Sequence, residues 1–342
     1  MQSAAARYLL VGVLAALIAV YGLAAFLTRE HWAGNVRQDR TVVTFSARIP
    51  DGSPPAGEAL AESREIVGER VAALGIPGGE VAVYGDGLTV AVTGNADDVR
   101  DIGRLGQLHV RPVIHAMAAD SAPSSPSTPP TAPGADIAQR IADEKQLRQS
   151  ADQQIQILAL QFQATRCGDD DVLAGNDDPE LPLITCSSDG ATVYLLGESI
   201  LDGAELESAT AIPDGVELTF DDTGKQVLAD YTAASEGDQI AFTVDTAVES
   251  APQIREAISD GQAMITGQFT EEQARALAST LANGPLPFEL TVKSSDTETV
   301  AVERGWTLLR IWLGAAGLIL AAMVIVVVGY LISATRHRQP RL

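Results

Sequence analysis

The chain has 342 residues, with 23 Lys and Arg against 45 Asp and Glu and a formal net charge of −22. That balance excludes nucleic-acid binding in any simple form, because phosphate contacts need an excess of basic side chains. Only three lysines, Lys145, Lys225 and Lys293, leave little to grip anionic headgroups, so the expected partners are proteins in a membrane complex.

The apolar residues concentrate at the two ends. Residues 1–7 carry Arg7 and no acid, and residues 8–27 (YLLVGVLAALIAVYGLAAFL) run without Asp, Glu, Lys, Arg or His. At 1.5 Å rise per residue such a run matches the ~30 Å hydrocarbon core of a bilayer. A cleaved signal peptide is the competing reading, but the run is long and no A-x-A site follows before Thr28. Residues 308–332 read as a second span, in which Ile311 to Ile332 repeat the uncharged pattern and Trp306, Trp312 and Tyr330 are placed as interfacial aromatics. The tail 333–342 holds Arg336, Arg338 and Arg341 and no acid, which makes it cytoplasmic by the positive-inside rule; Arg29, Arg37 and Arg40 pull the other way at the first span. Two membrane spans are therefore expected, with both termini cytoplasmic and the main domain extracytoplasmic.

Between the spans, 41–117 reads as one module. Thr41–Arg48 is β-branched and alternating, and a helix over Ala56–Leu74 follows with Leu60, Arg64, Val67, Val71 and Leu74 on one face and Gly75 as its stop. Val81–Tyr84 and Leu88–Val92 form a hairpin about Gly85-Asp86-Gly87; a short helix at 96–105 and a strand at Leu108–Ile114 complete a β-α-β-β-α-β order. That order is the ferredoxin-like arrangement.

Residues 118–135 (AADSAPSSPSTPPTAPGA) read as a linker that buries too little apolar area to fold. The region 136–191 then predicts a polar helix to about Thr165, whose stripe of Ala151, Ile155, Leu158 and Phe162 docks on the body, and a loop holding Cys167 and Cys186. In an oxidising compartment a disulfide across that loop is expected, worth ~3 kcal/mol in the chain-entropy model. Two free thiols are the alternative, and a metal site lacks ligands.

Residues 192–284 read as a second α/β module. Gly215–Phe220 is a strand, Asp221 and Asp222 open a helix, Gln239–Val244 is a strand, and Ile254–Ile258 a short helix with Pro252 in its first turn. Thr270 and Gln273 form a capping box for the helix over Ala274–Leu281, and Gly284 stops it. Residues 285–295 return as a strand.

Chemical sites are sparse. His109 and His115 share a strand about 20 Å apart, too far for one metal, and are expected to be structural. Asp169–Asp171 with Asn176, Asp177 and Asp178 lacks calcium-loop spacing and reads as a solvated acidic loop. With no phosphate loop, serine elbow or paired Cys/His motif, no cofactor, metal or enzymatic activity is expected.

The segment ITGQFTEEQARALASTLANGPLPFELTV resembles the stretch of the SecD protein translocase subunit in which a G-x-F-T-x-E-x-A helix precedes G-x-L-P. Upstream, VYLLGESILDGAELESA, GVELTFDDTGKQVLADYT and FTVDTAVESAPQIREAISDGQAMITG are similar to the head of that family's large extracytoplasmic domain. REIVGERVAALGIPGGEVAVYGDGLTVAVTG with LGQLHVRPVI is similar to its base. The resemblance covers about residues 41–293. It implies an α+β fold, a ferredoxin-like base plus an α/β head module flanked by two transmembrane helices. It also implies a role in protein export, with the Sec translocon and an exported polypeptide as partners and Phe220, Phe242, Pro252, Phe269 and Leu277 in a substrate-handling head.

Two departures bear on mechanism. The family's G-L-D-L-x-G-G motif is absent, Gly34 to Thr41 reading GNVRQDRT. The family continues into several membrane helices with a proton-carrying aspartate, whereas one span follows the domain here, without an ionisable group from Ile311 to Ile332. The expectation is an accessory of protein export without its own proton-driven motor. The alternative is a non-catalytic structural subunit of another large membrane complex, such as a respiratory assembly. A ligand sensor is the weakest reading, since the ten residues after Ile332 offer no output domain.

Overall fold

In the computed structural model, the residues described are 4–27, 36–49, 53–76, 79–93, 99, 101–120, 137–168, 171–302 and 307–336. Most of the expected linker lies outside them, as do Arg29, Trp306 and the tail after Arg336; of the expected helix at 96–105, residues 96–98 and 100 lie outside, and Asp101–Gly103 form a single 3-10 turn. The chain forms two compact units, residues 1–38 with 299–342, and residues 39–298.

The first unit pairs two apolar helices, α1 (Ala4–Leu27) and α7 (Thr307–Arg336). The Tyr21 hydroxyl donates to the Leu313 carbonyl at 3.3 Å. It can do so because residue 317 is glycine: a Cβ there would lie 2.6 Å from the phenol oxygen. Trp312–Tyr330 is long and apolar enough to cross a bilayer, and Val11–Phe26 is a shorter apolar helix among the described residues.

The second unit is a mixed α/β body. Its four-stranded sheet has the order β13-β1-β3-β2, made of β1 (Val36–Arg48), β2 (Glu80–Tyr84), β3 (Gly87–Thr93) and β13 (Glu289–Val302). β3 pairs antiparallel with both β1 and β2. Gly87 is required at the start of β3, where a Cβ would meet the Phe45 carbonyl oxygen at 1.9 Å. Helix α2 (Gly57–Ala73) covers the sheet, and Val43, Phe45, Val67, Val71, Leu88, Val90 and Val92 fill the core between them. The helix buries Ser63 and Arg70 beside Leu60, Val67 and Val71, whereas Arg64, expected on that face, is exposed.

β4 (Leu108–Ala118) departs from its expected place. It does not close the four-stranded sheet but forms the spine of a six-stranded one, pairing with β10 (Ile240–Val244) through Leu108–Pro112, with β6 (Thr192–Leu196) through Val113–Ala118 and with the short β7 (Leu201–Asp202) at His109 and Val110. The reason lies in burial: Leu108 to Arg111 are buried on both faces, as an interior strand demands. The vacant outer position goes to β13, paired with β1, whose Phe288 and Leu290 end enters the core. β5 (Leu183–Cys186) and β11 (Ala247–Ser250) are the sheet's edges, joined at one point by a parallel bridge, Ser187 to Val248. Between Val113 and His115 the register shifts, so His109 is buried while His115 is exposed, and the two do not share a face.

The helix expected over 136–165 is two, α3 (Ile137–Arg148) and α4 (Gln153–Ala164). Asp152 breaks them apart by accepting the Gln154 and Ile155 amides as N-cap of α4. The restart sets the helix phase: α4 buries Ala159, Leu160, Gln163 and Ala164 on β5 and β6, and leaves Ile155 and Leu158 38% and 61% exposed. The expected docking stripe thus faces outward. Cys167 and Cys186 are disulfide-bonded, which ties the end of α4 to the end of β5.

A three-stranded sheet, β12-β9-β8, carries α5 (Asp222–Ala234) and α6 (Glu271–Ala282); its strands are β8 (Leu206–Ile212), β9 (Gly215–Phe220) and β12 (Gln262–Thr266). Its apolar face and that of β4 and β10 share one core, containing Val216, Leu218, Leu228 and Ile265 with Leu108 and Val110. No helix forms at Ile254–Ile258. Those amides bond elsewhere, Ile254 to the Asp238 carbonyl and Ile258 to the Thr232 hydroxyl.

Candidate functional site

α6 begins with the capping box anticipated from the sequence, Thr270 accepting from the Gln273 amide and Gln273 from the Thr270 amide. Residues 273, 276, 277 and 280 then fall on one helix face. With Val248 to Pro252 at the end of β11, the turn after β5 and the Thr266–Phe269 loop, that face lines a cleft of about 820 Å³. Gly267 seats the Phe269 ring, since a Cβ there would come within 2.9 Å of it. Tyr194, Ser250, Gln268 and Thr280 add neutral polar groups beside apolar Val248, Pro252 and Leu277. Such a wall offers hydrogen bonds to a backbone and contact area to apolar side chains.

Of the five residues marked from the sequence, the cleft brings together Pro252, Phe269 and Leu277. Phe269 and Pro252 are half-buried, and Leu277 reaches the cleft from a largely buried position. Phe220 and Phe242 are buried in the shared core and do not line it.

Sequence reasoning missed the polar frame behind the cleft. Asp245 and Thr246, in the turn between β10 and β11, both have positive φ, 51° and 75°. For a β-branched residue this costs energy and needs support. Asp245 Oδ1 accepts the Gly106 and Gln107 amides at 2.8 Å, and the Thr246 hydroxyl donates to Asp171 Oδ2 at 2.8 Å. Burial pushes the Asp245 carboxyl above its usual range against the pull of Arg104. Arg104 itself lies 3.1 Å from Glu249 and 3.6 Å from Asp245.

Unlike Arg104, the three arginines Arg70, Arg111 and Arg148 are fully buried. Arg148 holds Asp171 at 2.6 Å; burial would raise that carboxyl, but the charge and hydrogen bonds of Arg148 outweigh it and the net shift is downward. Arg111 pairs with Asp177 at 2.7 Å and donates to the Leu181 and Gly197 carbonyls. The acidic stretch expected to be solvated is therefore, from Asp171 to Asp178, an ordered loop wrapped on two guanidinium groups. Asp169 and Asp170 lie outside the described residues.

Arg70 marks the junction between the four-stranded sheet and the rest of the body. Its guanidinium donates to the carbonyls of Ile102, Arg104 and Leu105 on the outgoing chain and of Gly284 on the returning chain. The Leu286 amide bonds the Leu105 carbonyl, so the two connections run side by side. The outgoing connection lies at Leu105–Gln107 because β4 belongs to the central sheet. Burial lowers the Arg70 pKa to about 10.

The cleft sits in a mixed α/β body, in a chain that also holds a membrane-length apolar helix. The family model for the SecDF P1 head subdomain matches residues 182–288, which include most of the cleft lining. The SecD protein translocase subunit of Mycobacterium tuberculosis is 41% identical over 389 residues, covering 92% of this chain and 67% of that protein. SecD of Streptomyces coelicolor is 30% identical over 191 residues, covering 51% of this chain and 33% of the relative. A solved SecDF structure in its super-membrane-facing form gives a TM-score of 0.48 at 21% identity, covering 86% of this chain and 35% of that one. The chain belongs to the SecD family of protein translocase subunits. It is a membrane-associated accessory subunit of protein export, and the reading as a subunit of a respiratory assembly is not favoured.

Proposed function

We propose that the cleft holds extended segments of exported polypeptides as they emerge at the Sec translocon, and that it does so without catalysing a reaction. The observation that carries this reading is the cleft wall itself, in which neutral hydrogen-bonding side chains alternate with Pro252, Phe269 and Leu277 on a rigidly capped helix. In this reading 182–288 is the head. The four-stranded sheet, whose order is that of a first, third and second strand flanked by a last one, is a ferredoxin-like base completed by β13. Residues 8–27 and 308–332 are two spans that leave both termini cytoplasmic and the main domain extracytoplasmic. Neither span carries an Asp, Glu, Lys, Arg or His from Tyr8 to Leu27 or from Ile311 to Ile332. The spans then serve as anchors and offer no proton relay.

The test is site-specific photocrosslinking in membranes that contain a stalled export intermediate. A photoreactive residue at Ala276, in the cleft, is expected to label the exported chain, and one at Gln226, exposed on α5, is not. Equal labelling from both positions would sink the assignment.

A further inference from the structure

The charged side chains in the cleft are few and lopsided. Among the described residues its lining holds one cation, Arg104, and two acids, Asp189 and Glu249. Arg104 is already engaged, by Glu249 at 3.1 Å and by Asp245 behind the wall at 3.6 Å, so two carboxylates more than match its charge. Asp189 stands exposed in the turn after β5. Its Oδ1 accepts the Ser187 hydroxyl and the Ala191 amide, which hold the carboxyl below its usual range and keep it anionic.

From this we infer that the cleft favours segments carrying a Lys or Arg among uncharged residues and disfavours acidic ones. The inference rests on the reading of the cleft as a polypeptide site. An arriving Lys lays its aliphatic stem along Val248, Pro252 and Phe269 and brings its ammonium to the carboxylate at the mouth. An arriving Asp or Glu meets Asp189 with like charge and finds Arg104 already paired. The chain's net charge of −22 adds a long-range pull of the same sign.

The experiment uses the full chain in an uncharged detergent and three fluorescent peptides of alternating Val and Ser, differing only in a central Lys, Gln or Glu. Affinity is expected to fall in that order, the Lys peptide binding about tenfold tighter than the Glu peptide at low salt and about twofold tighter at high salt. Asp189→Asn keeps the Oδ1 acceptor that caps the turn, and combined with Glu249→Gln it is expected to remove most of the difference between the Lys and Glu peptides. Equal affinities, or tighter binding of the Glu peptide, overturn the charge selection and leave the cleft reading standing. A difference unchanged in the double variant overturns the assignment to these two acids. Failure of all three peptides to bind the wild-type chain overturns both readings.

Discussion

The core under the four-stranded sheet is closed by aliphatic and aromatic side chains, with Arg70 only at its rim, whereas the six-stranded sheet is closed around Arg111, Arg148 and a disulfide. An apolar core loses stability gradually as methylenes are removed. An ion-paired interior loses it abruptly, because removing one partner strands a charge where water cannot reach it. The Arg111 and Asp177 side chains are 0% and 1% exposed, with Asp177 Oδ1 and Arg111 Nε lacking hydrogen-bond partners, so this pair has little slack. Arg111→Met is accordingly expected to cost about 3–5 kcal/mol, read by denaturant unfolding of the purified chain. Val67→Ala in the apolar core is expected to cost about 2 kcal/mol. Arg111→Met combined with Asp177→Leu should recover most of the first loss. Similar costs for the two single variants would erase the distinction.

The disulfide is the next largest effect. Replacing Cys167 and Cys186 together by Ser is expected to cost about 3 kcal/mol. Because the bond joins the end of α4 to β5, hydrogen exchange should quicken first in α4 and β5 and leave β1 and β3 unchanged. Acceleration spread evenly over both sheets would show that the two regions are not stabilised separately.

What the sequence revealed follows the same divide. β1, α2 and the β2–β3 hairpin are legible because their apolar residues repeat with helical or strand period, and the capping box of α6 is a local signal that needs no tertiary partner. β4 was assigned as a strand correctly but to the wrong sheet, since strand pairing partners are set by distant residues: its neighbours begin at Thr192 and Ile240. The buried arginines were illegible for a related reason. Arg70 and Arg111 look solvent-facing until the carbonyls and carboxylates that receive them are folded into place. In the cleft, Pro252, Phe269 and Leu277 could be picked out as apolar residues flanking turns and caps. Asp189, Glu249 and Arg104 carried no such mark, being charged residues in an acidic chain.

Two acids of the frame, half-buried Asp171 and buried Asp245, give a pH test. Asp171 has a lowered pKa in the fold, so its stabilising contribution is present above about pH 4, the unfolded value, and fades as the pH falls through the folded one. Asp245 has a raised pKa, so its contribution is present at low pH and is lost as the pH rises through the folded value. At neutral pH, Asp171→Asn is expected to cost about 2 kcal/mol. Asp245→Asn, which keeps an oxygen for the Gly106 and Gln107 amides, is expected to change stability by no more than about 0.5 kcal/mol. Unfolding free energies of both variants across the acid range check the opposite signs, and parallel pH profiles would contradict them.

The phase of α4 gives a finer test, from residue to residue along one helix. A helix running unbroken from 136 would present Ile155 and Leu158 to the sheet, and the restart at Asp152 presents Ala159 and Leu160 instead. The two phases make opposite demands on neighbouring residues. Leu158→Gln adds a polar group to a position already 61% exposed and is expected to stay within about 0.5 kcal/mol of the parent. Leu160→Ala opens a cavity against Ile184 and Leu195 and is expected to cost about 2–5 kcal/mol. Asp152→Ala removes the side chain that accepts the Gln154 and Ile155 amides and should cost about 1 kcal/mol, with the loss confined to the first turn of α4. A large cost at Leu158 with a small one at Leu160 would mean that the helix docks in the unbroken phase, and that the break at Asp152 does not set which face the sheet receives.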